Sequence, residues 1–215
     1  MRSPSLAPSA GSPASGPPAS GTDRLPRGPF LARLGLLAAL AAYTLAWRGD
    51  GGGPLSAVDL AIHETGHLVF LPLGEVMHFL GGTLFQLLVP LLFAGTFLHR
   101  GQRFSAAFPL WWVGQNLWHI APYVADARTQ ALPLVGGGEH DWAFLLATWR
   151  WLPYDDAIGA ACQLAGTAIA VVALLYGLTW SDVPDAQRVS PSTNENEWRT
   201  SRSDESITEP RRPLM

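Results

Sequence analysis

The sequence predicts an all-α protein, a multi-pass bundle of about five membrane helices flanked by two polar, disordered tails. Three observations carry that expectation. Hydrophobic residues make up 48% of the 215-residue chain while charged residues make up only 14%, against roughly 25% charged in an ordinary soluble domain. The shortfall is uneven, because residues 1–29 and 181–215 are polar and residues 30–180 are dominated by Leu, Ala, Val, Phe and Trp. Within that middle, apolar runs of helix length are separated by short Gly, Pro and Arg breaks.

The tract 1–29 is built from Pro, Ser, Ala and Gly. It can bury too little apolar surface to offset its ordering entropy, so disorder is expected. It does not read as a signal peptide, because the apolar stretch starts only near Phe30 with no clean cleavage site after it. Phe30 to Trp47 follows, about 18 residues and about 27 Å as a helix. Arg33 near its start can snorkel, and Tyr43 and Trp47 suit an interfacial belt. Asp50-Gly51-Gly52-Gly53-Pro54 ends it.

Leu55 to Leu80 is a second candidate that carries Asp59, His63, Glu64, His67, Glu75 and His78, with a kink or end expected at Leu71-Pro72-Leu73-Gly74. Leu80 to Leu98 is an almost uninterrupted apolar span that tolerates Pro90. A polar turn, His99-Arg100-Gly101-Gln102-Arg103, leads into Phe104 to Tyr123, a span holding Gln115, Asn116 and His119. Residues 124–156 form a more polar connection, in which Trp142 to Trp151 can make a short interfacial helix. Ala157 to Trp180 is the last span, and Ala157, Ala161, Ala165 and Ala168 offer small residues for close helix packing. The tail 181–215 is mixed in charge and rich in Ser, Asn and Glu, and is expected to be disordered.

Arg24, Arg27 and Arg33 argue for a cytoplasmic N-terminus by the positive-inside rule, and Arg100 and Arg103 ask for the same side. Both hold together when residues 55–80 are re-entrant. The apolar length of 55–80 favours a full crossing instead, which would put the Arg100/Arg103 turn outside. All 14 basic residues are Arg, a genomic composition bias, and the expected location is a bacterial inner or cell membrane. The net charge of −3 excludes a broadly basic nucleic-acid footprint, leaving the lipid bilayer as the expected partner. Cys162 is the single cysteine, so the chain has no intramolecular disulfide and no CxxC site.

The chemistry gathers at His63-Glu64-Thr65-Gly66-His67. Residues four apart share one helix face, so His63 and His67 can offer two imidazoles to a single metal ion. Glu64 follows the first ligand and can reach a water at the metal as general base. With six His and seven Glu in the chain, chance would produce HExxH about once in two hundred such chains. Two His and a Glu in an apolar helix cost several kcal/mol unless compensated, and a metal compensates them.

A zinc hydrolase needs a third protein ligand and keeps a fourth position for water. Asp126 is the leading candidate, following an apolar helix with Asn116, His119 and Pro122 upstream. His140 and Asp141 are the alternatives, since the glycine triplet 136–138 before them lets a loop fold back over the site. Asp126 paired with Arg128, and His140 as a solvated loop residue, are the simpler structural readings.

On these residues the chain resembles the site-2 protease family of intramembrane zinc metalloproteases, in the broad peptidase-M50-like sense. The resemblance covers about residues 55–127: a helix with HExxH, an apolar helix, and a third helix with Asn116, Pro122 and Asp126. In that family the third helix supplies an aspartate from Asn-x-x-Pro-x-x-x-x-Asp-Gly. Here Asn116 and Pro122 are six apart, Pro122 and Asp126 four apart, and Ala127 replaces the glycine. The resemblance implies a Zn²⁺ metalloendopeptidase that cuts a peptide bond of a membrane-protein substrate in or near the membrane plane, with His63, His67 and Asp126 on zinc and Glu64 as the base. The competing expectation is a non-proteolytic membrane protein that uses the same buried His and acidic groups for metal binding or ion transport.

Overall fold

The computed structural model describes residues 24–47, 53–134 and 138–185. The regular structure of the described residues is all helical, with six α-helices and two short 3-10 turns. They are α1 (Arg27–Trp47), α2 (Ser56–Phe70), α3 (Glu75–His99), α4 (Ala107–Ala125), α5 (Asp141–Thr148) and α6 (Asp155–Thr179). Most of both expected disordered tails, residues 1–23 and 186–215, lies outside the described residues.

Among the described residues, three segments are long and apolar enough to cross a membrane: Arg27–Trp47, Glu75–His99 and Leu152–Thr179. The expected single crossing over 55–80 is replaced by a helical hairpin. A 3-10 turn, Leu71–Leu73, ends α2, and Gly74 takes φ +100°, a left-handed conformation glycine adopts freely, before α3 begins. With 15 residues, α2 is about 22 Å long, short of the roughly 30 Å hydrocarbon thickness.

α2 and α3 pack antiparallel and very closely. A Cβ on Gly81 would lie 2.7 Å from the Gly66 carbonyl oxygen, so glycine on both helices sets the crossing. α4 and α6 form a second antiparallel pair. Gly114 faces Gly166, and Gly159 lies against the Ala121 carbonyl and Ala125. The small residues that make this contact are Gly159, Gly166, Ala170, Ala173 and Gly177, all buried. Ala157, Ala161, Ala165 and Ala168, expected to do so, are exposed instead. Gly159 and Gly166, and again Ala170 and Gly177 with Ala173 between, repeat near the heptad spacing that keeps a stripe on one side of a helix.

α1 lies across this pair. Leu40 joins Trp111, Trp118, Ala170 and Ala173 in the core, and Tyr43 stacks edge-on against Trp111 at 5.4 Å. Tyr43 therefore packs inward, and its hydroxyl accepts the Leu55 amide at 3.2 Å. One end of the bundle is closed by Asp185, whose carboxylate accepts from the Phe104 amide at 2.9 Å and the Ser105 hydroxyl at 2.7 Å and pairs with Arg33 at 3.4 Å. Arg33 also donates to the Val183 carbonyl at 2.6 Å. The start of α1, the turn between α3 and α4, and the chain after α6 thus meet at one end. The α2–α3 turn, residues 126–134 and 138–140, and α5 lie at the other.

Candidate metal centre

His63 and His67 project from α2 towards α3, and the space they occupy exists because position 82 is glycine. A Cβ there would lie 2.6 Å from His63 Nε2 and 2.7 Å from His67 Nε2. Their outer ring nitrogens are fixed by acceptors. His63 Nδ1 lies 3.1 Å from Gln86 Oε1, and His67 Nδ1 lies 2.8 Å from the His78 carbonyl. Gln86 presents its oxygen because its amide nitrogen donates to Asn116 Oδ1 at 2.8 Å, while Asn116 in turn donates to the Gln86 carbonyl at 3.1 Å. Both imidazoles therefore carry hydrogen on Nδ1 and turn Nε2 inward, the arrangement outer partners impose on metal-binding histidines.

The third member arrives from α5. Asp141 Oδ2 lies 3.0 Å from His63 Nε2 and 3.3 Å from His67 Nε2. These three ligand atoms lie within 4.8 Å of one another, the group among the described residues able to hold a metal ion. Packing places it there. Leu145 and Leu146 are fully buried, Leu146 against Ile120, Val124 and Ala127, worth about 2 kcal/mol each, and Phe144 stacks on Phe79 of α3 at 4.1 Å. Asp141 opens α5, the end of a helix where a carboxylate is favoured. Burial pushes its carboxyl up, but the His63 and His67 imidazoles outweigh burial and hold it at about 2, fully ionised near neutral pH.

Two inward nitrogens and a carboxylate oxygen at these distances are three electron-pair donors facing one another. A second proton on an imidazole would relieve one contact; a single divalent cation relieves all three. The donor set, two imidazoles and one carboxylate, is one that zinc takes in hydrolytic sites.

Glu64 is exposed and lines the same cavity, of about 900 Å³, as His63, His67 and Asp141. Asp126 is placed elsewhere. Its carboxylate accepts from the Thr129 hydroxyl and from the Ala131 and Leu132 amides at 3.0 and 2.9 Å, closing the turn after α4. Burial raises the Asp126 carboxyl, but these hydrogen bonds win and hold it below the usual carboxylate range. Arg128 pairs with Asp155 at 2.6 Å and with Asp156, not with Asp126. His140 is buried, not solvated. It caps α5 by accepting the Ala143 amide at 3.2 Å on Nδ1, and its Nε2 stands 3.8 Å from Asp126.

Sequence reasoning did not anticipate what Asp59 does. It is 2% exposed, accepts from Trp112 Nε1 at 2.7 Å and Gln115 Nε2 at 3.1 Å, and meets His119 Nδ1 at 2.9 Å. One carboxylate so joins α2 to α4. The available signal was its cost, an acidic residue four positions before His63 on the same helix face. Gln115, Asn116 and His119 accordingly serve as interhelical hydrogen-bond partners.

Comparison with known proteins finds no matching family model, no matching curated protein and no matching solved structure.

Proposed function

We propose that this chain is a multi-pass membrane zinc metallopeptidase that hydrolyses a peptide bond in or near the membrane plane. The observation that carries the reading is the convergence of His63 Nε2, His67 Nε2 and Asp141 Oδ2, both rings oriented by outer acceptors, with Glu64 lining the same cavity. In this reading Asp141, rather than Asp126, completes the ligand set with His63 and His67. A zinc ion held there supplies Lewis acidity, acidifying water and polarising a carbonyl.

The protein's own groups do the rest. Glu64, adjacent to the first ligand, accepts the proton of the attacking water and returns it to the departing amine. Gln86 and the His78 carbonyl hold the two rings in register, and the apolar lining from Leu60, Leu68, Phe79 and Leu134 suits an apolar peptide segment. Retention of a carboxylate at position 64 favours hydrolysis over metal storage or transport, which needs no base.

Zinc content and peptidase activity of matched preparations test this. Glu64→Gln is expected to keep stoichiometric zinc and lose activity at least 100-fold, whereas His63→Ala and Asp141→Ala lose the metal. Asp126→Ala keeps it. Absence of zinc from the wild type, or an active Glu64→Gln variant, overturns the proposal.

A further inference from the structure

The bundle has two chemically different ends. Among the described residues, Arg24, Arg27, Arg33, Arg100 and Arg103 lie at the end closed by Asp185. Their placement is locked there by contact: Arg24 pairs with Asp182 at 3.7 Å, Arg33 sits over the Phe104 ring at 4.4 Å, and Arg103 over the Trp180 ring at 4.2 Å. The opposite end holds Arg128 and Arg150, and Arg128 is neutralised by Asp155 and Asp156. That end also displays Trp151 and Tyr154, more than half exposed, as residues of a membrane–water boundary do.

The chain reaches the second end by α1 and α2 in succession. Leu40 and Tyr43 meet Trp111; Asp59 meets Trp112 and Gln115; His63 meets Gln86, which binds Asn116. α2 is antiparallel to α3 across the Leu71–Gly74 turn and α3 is antiparallel to α4 across the turn after His99, so α2 runs in the direction of α4, and α1 and α2 together make one passage away from the arginine end. α3 returns, α4 goes out as an interior passage with eleven of its residues buried against the other helices, and α6 comes back, so both ends of the described chain share the arginine side. The two demands of the positive-inside rule, at the N-terminus and at the Arg100/Arg103 turn, are met together.

The metal ligands sit at the level of Gly82 on α3. Seven residues separate Gly82 from Glu75 and seventeen separate it from His99, which is about 10 Å from one end and about 25 Å from the other. The cavity is walled on that nearer side by Leu134, Gly138, Glu139 and His140 of the long connection.

From this placement we infer that the cavity opens to the extracytoplasmic side, and that its substrates are polypeptide segments presented near the outer membrane boundary. The substrate class rests on the metallopeptidase reading; the orientation does not.

The orientation is tested on the full chain in bacterial cells, with green fluorescent protein or alkaline phosphatase fused after Met215. Fluorescence with an inactive phosphatase is expected; an active phosphatase with dark fluorescent protein overturns the inference. In a Cys162→Ala background, Glu139→Cys is expected to react with a membrane-impermeant maleimide in intact cells at least tenfold more than Pro184→Cys, with parity after permeabilisation. Equal or reversed labelling in intact cells overturns it as well. Zinc content and the Glu64→Gln variant are read separately, so failure of the metallopeptidase reading leaves the orientation result standing.

Discussion

Gly82 does as much for the candidate centre as any ligand. It contributes no donor atom, yet a methyl group there would enter the space of both Nε2 atoms. Gly82→Ala should favour the helix by about 1 kcal/mol in isolation and still weaken zinc binding at least tenfold, read by competition with a chromophoric chelator at unchanged helical content. Unchanged affinity would remove the steric account. Asp126 makes a different prediction, because its carboxyl is held below the ordinary value of 3.8 in the folded chain. A depressed folded value stabilises above the unfolded value and ceases to do so as pH falls through the folded one. The Tm difference between wild type and Asp126→Ala should therefore be full at pH 7 and shrink below about pH 3.8; a gap independent of pH would show that the carboxylate charge is immaterial to the turn.

Among helices, the α4–α6 contact is set by small residues on both sides, with a Cβ on Gly114 falling 2.6 Å from the Gly166 carbonyl oxygen. Gly114→Val forces the pair apart at about 1–3 kcal/mol, lowering Tm by roughly 2–12 °C for a chain of this size. A neutral result would mean the helices slide to accommodate it. These contacts also show what was legible in advance. Apolar runs placed α1, α4 and α6 to within about three residues at each end, and the Pro72/Gly74 break that divides α2 from α3 was readable because both residues punctuate locally. Which small residues of α6 face α4 was not readable, since Ala157, Ala161, Ala165 and Ala168 repeat as regularly as the stripe that is buried. His63, Glu64 and His67 could be picked out because they sit together on one helix. Asp141 could be named only as an alternative, because its position depends on how Leu145, Leu146 and Phe144 dock α5, a matter of partners distant in sequence.

For the molecule as a whole, the centre links α2 to α5 across 74 to 78 residues of chain, from His67 and His63 to Asp141. A ligand that binds the folded state at a hundred times its Kd adds about 2.7 kcal/mol, so removing zinc with a chelator should lower Tm by roughly 5–10 °C. Asp141→Asn should abolish that difference, as measured in detergent with and without chelator; a chelator effect surviving in Asp141→Asn would assign the metal to other residues.

Asp185 sets a condition on synthesis. The carboxylate that binds Arg33, the Phe104 amide and Ser105 lies six residues past the last helix. Chains emerge from the ribosome N-terminus first, so α1 and the α3–α4 turn wait for their common anchor until α6 has been made. Until then the arginine end is held only by contacts such as Arg33 over the Phe104 ring, and a ribosome stalled before residue 185 carries a bundle that lacks the carboxylate joining all three segments.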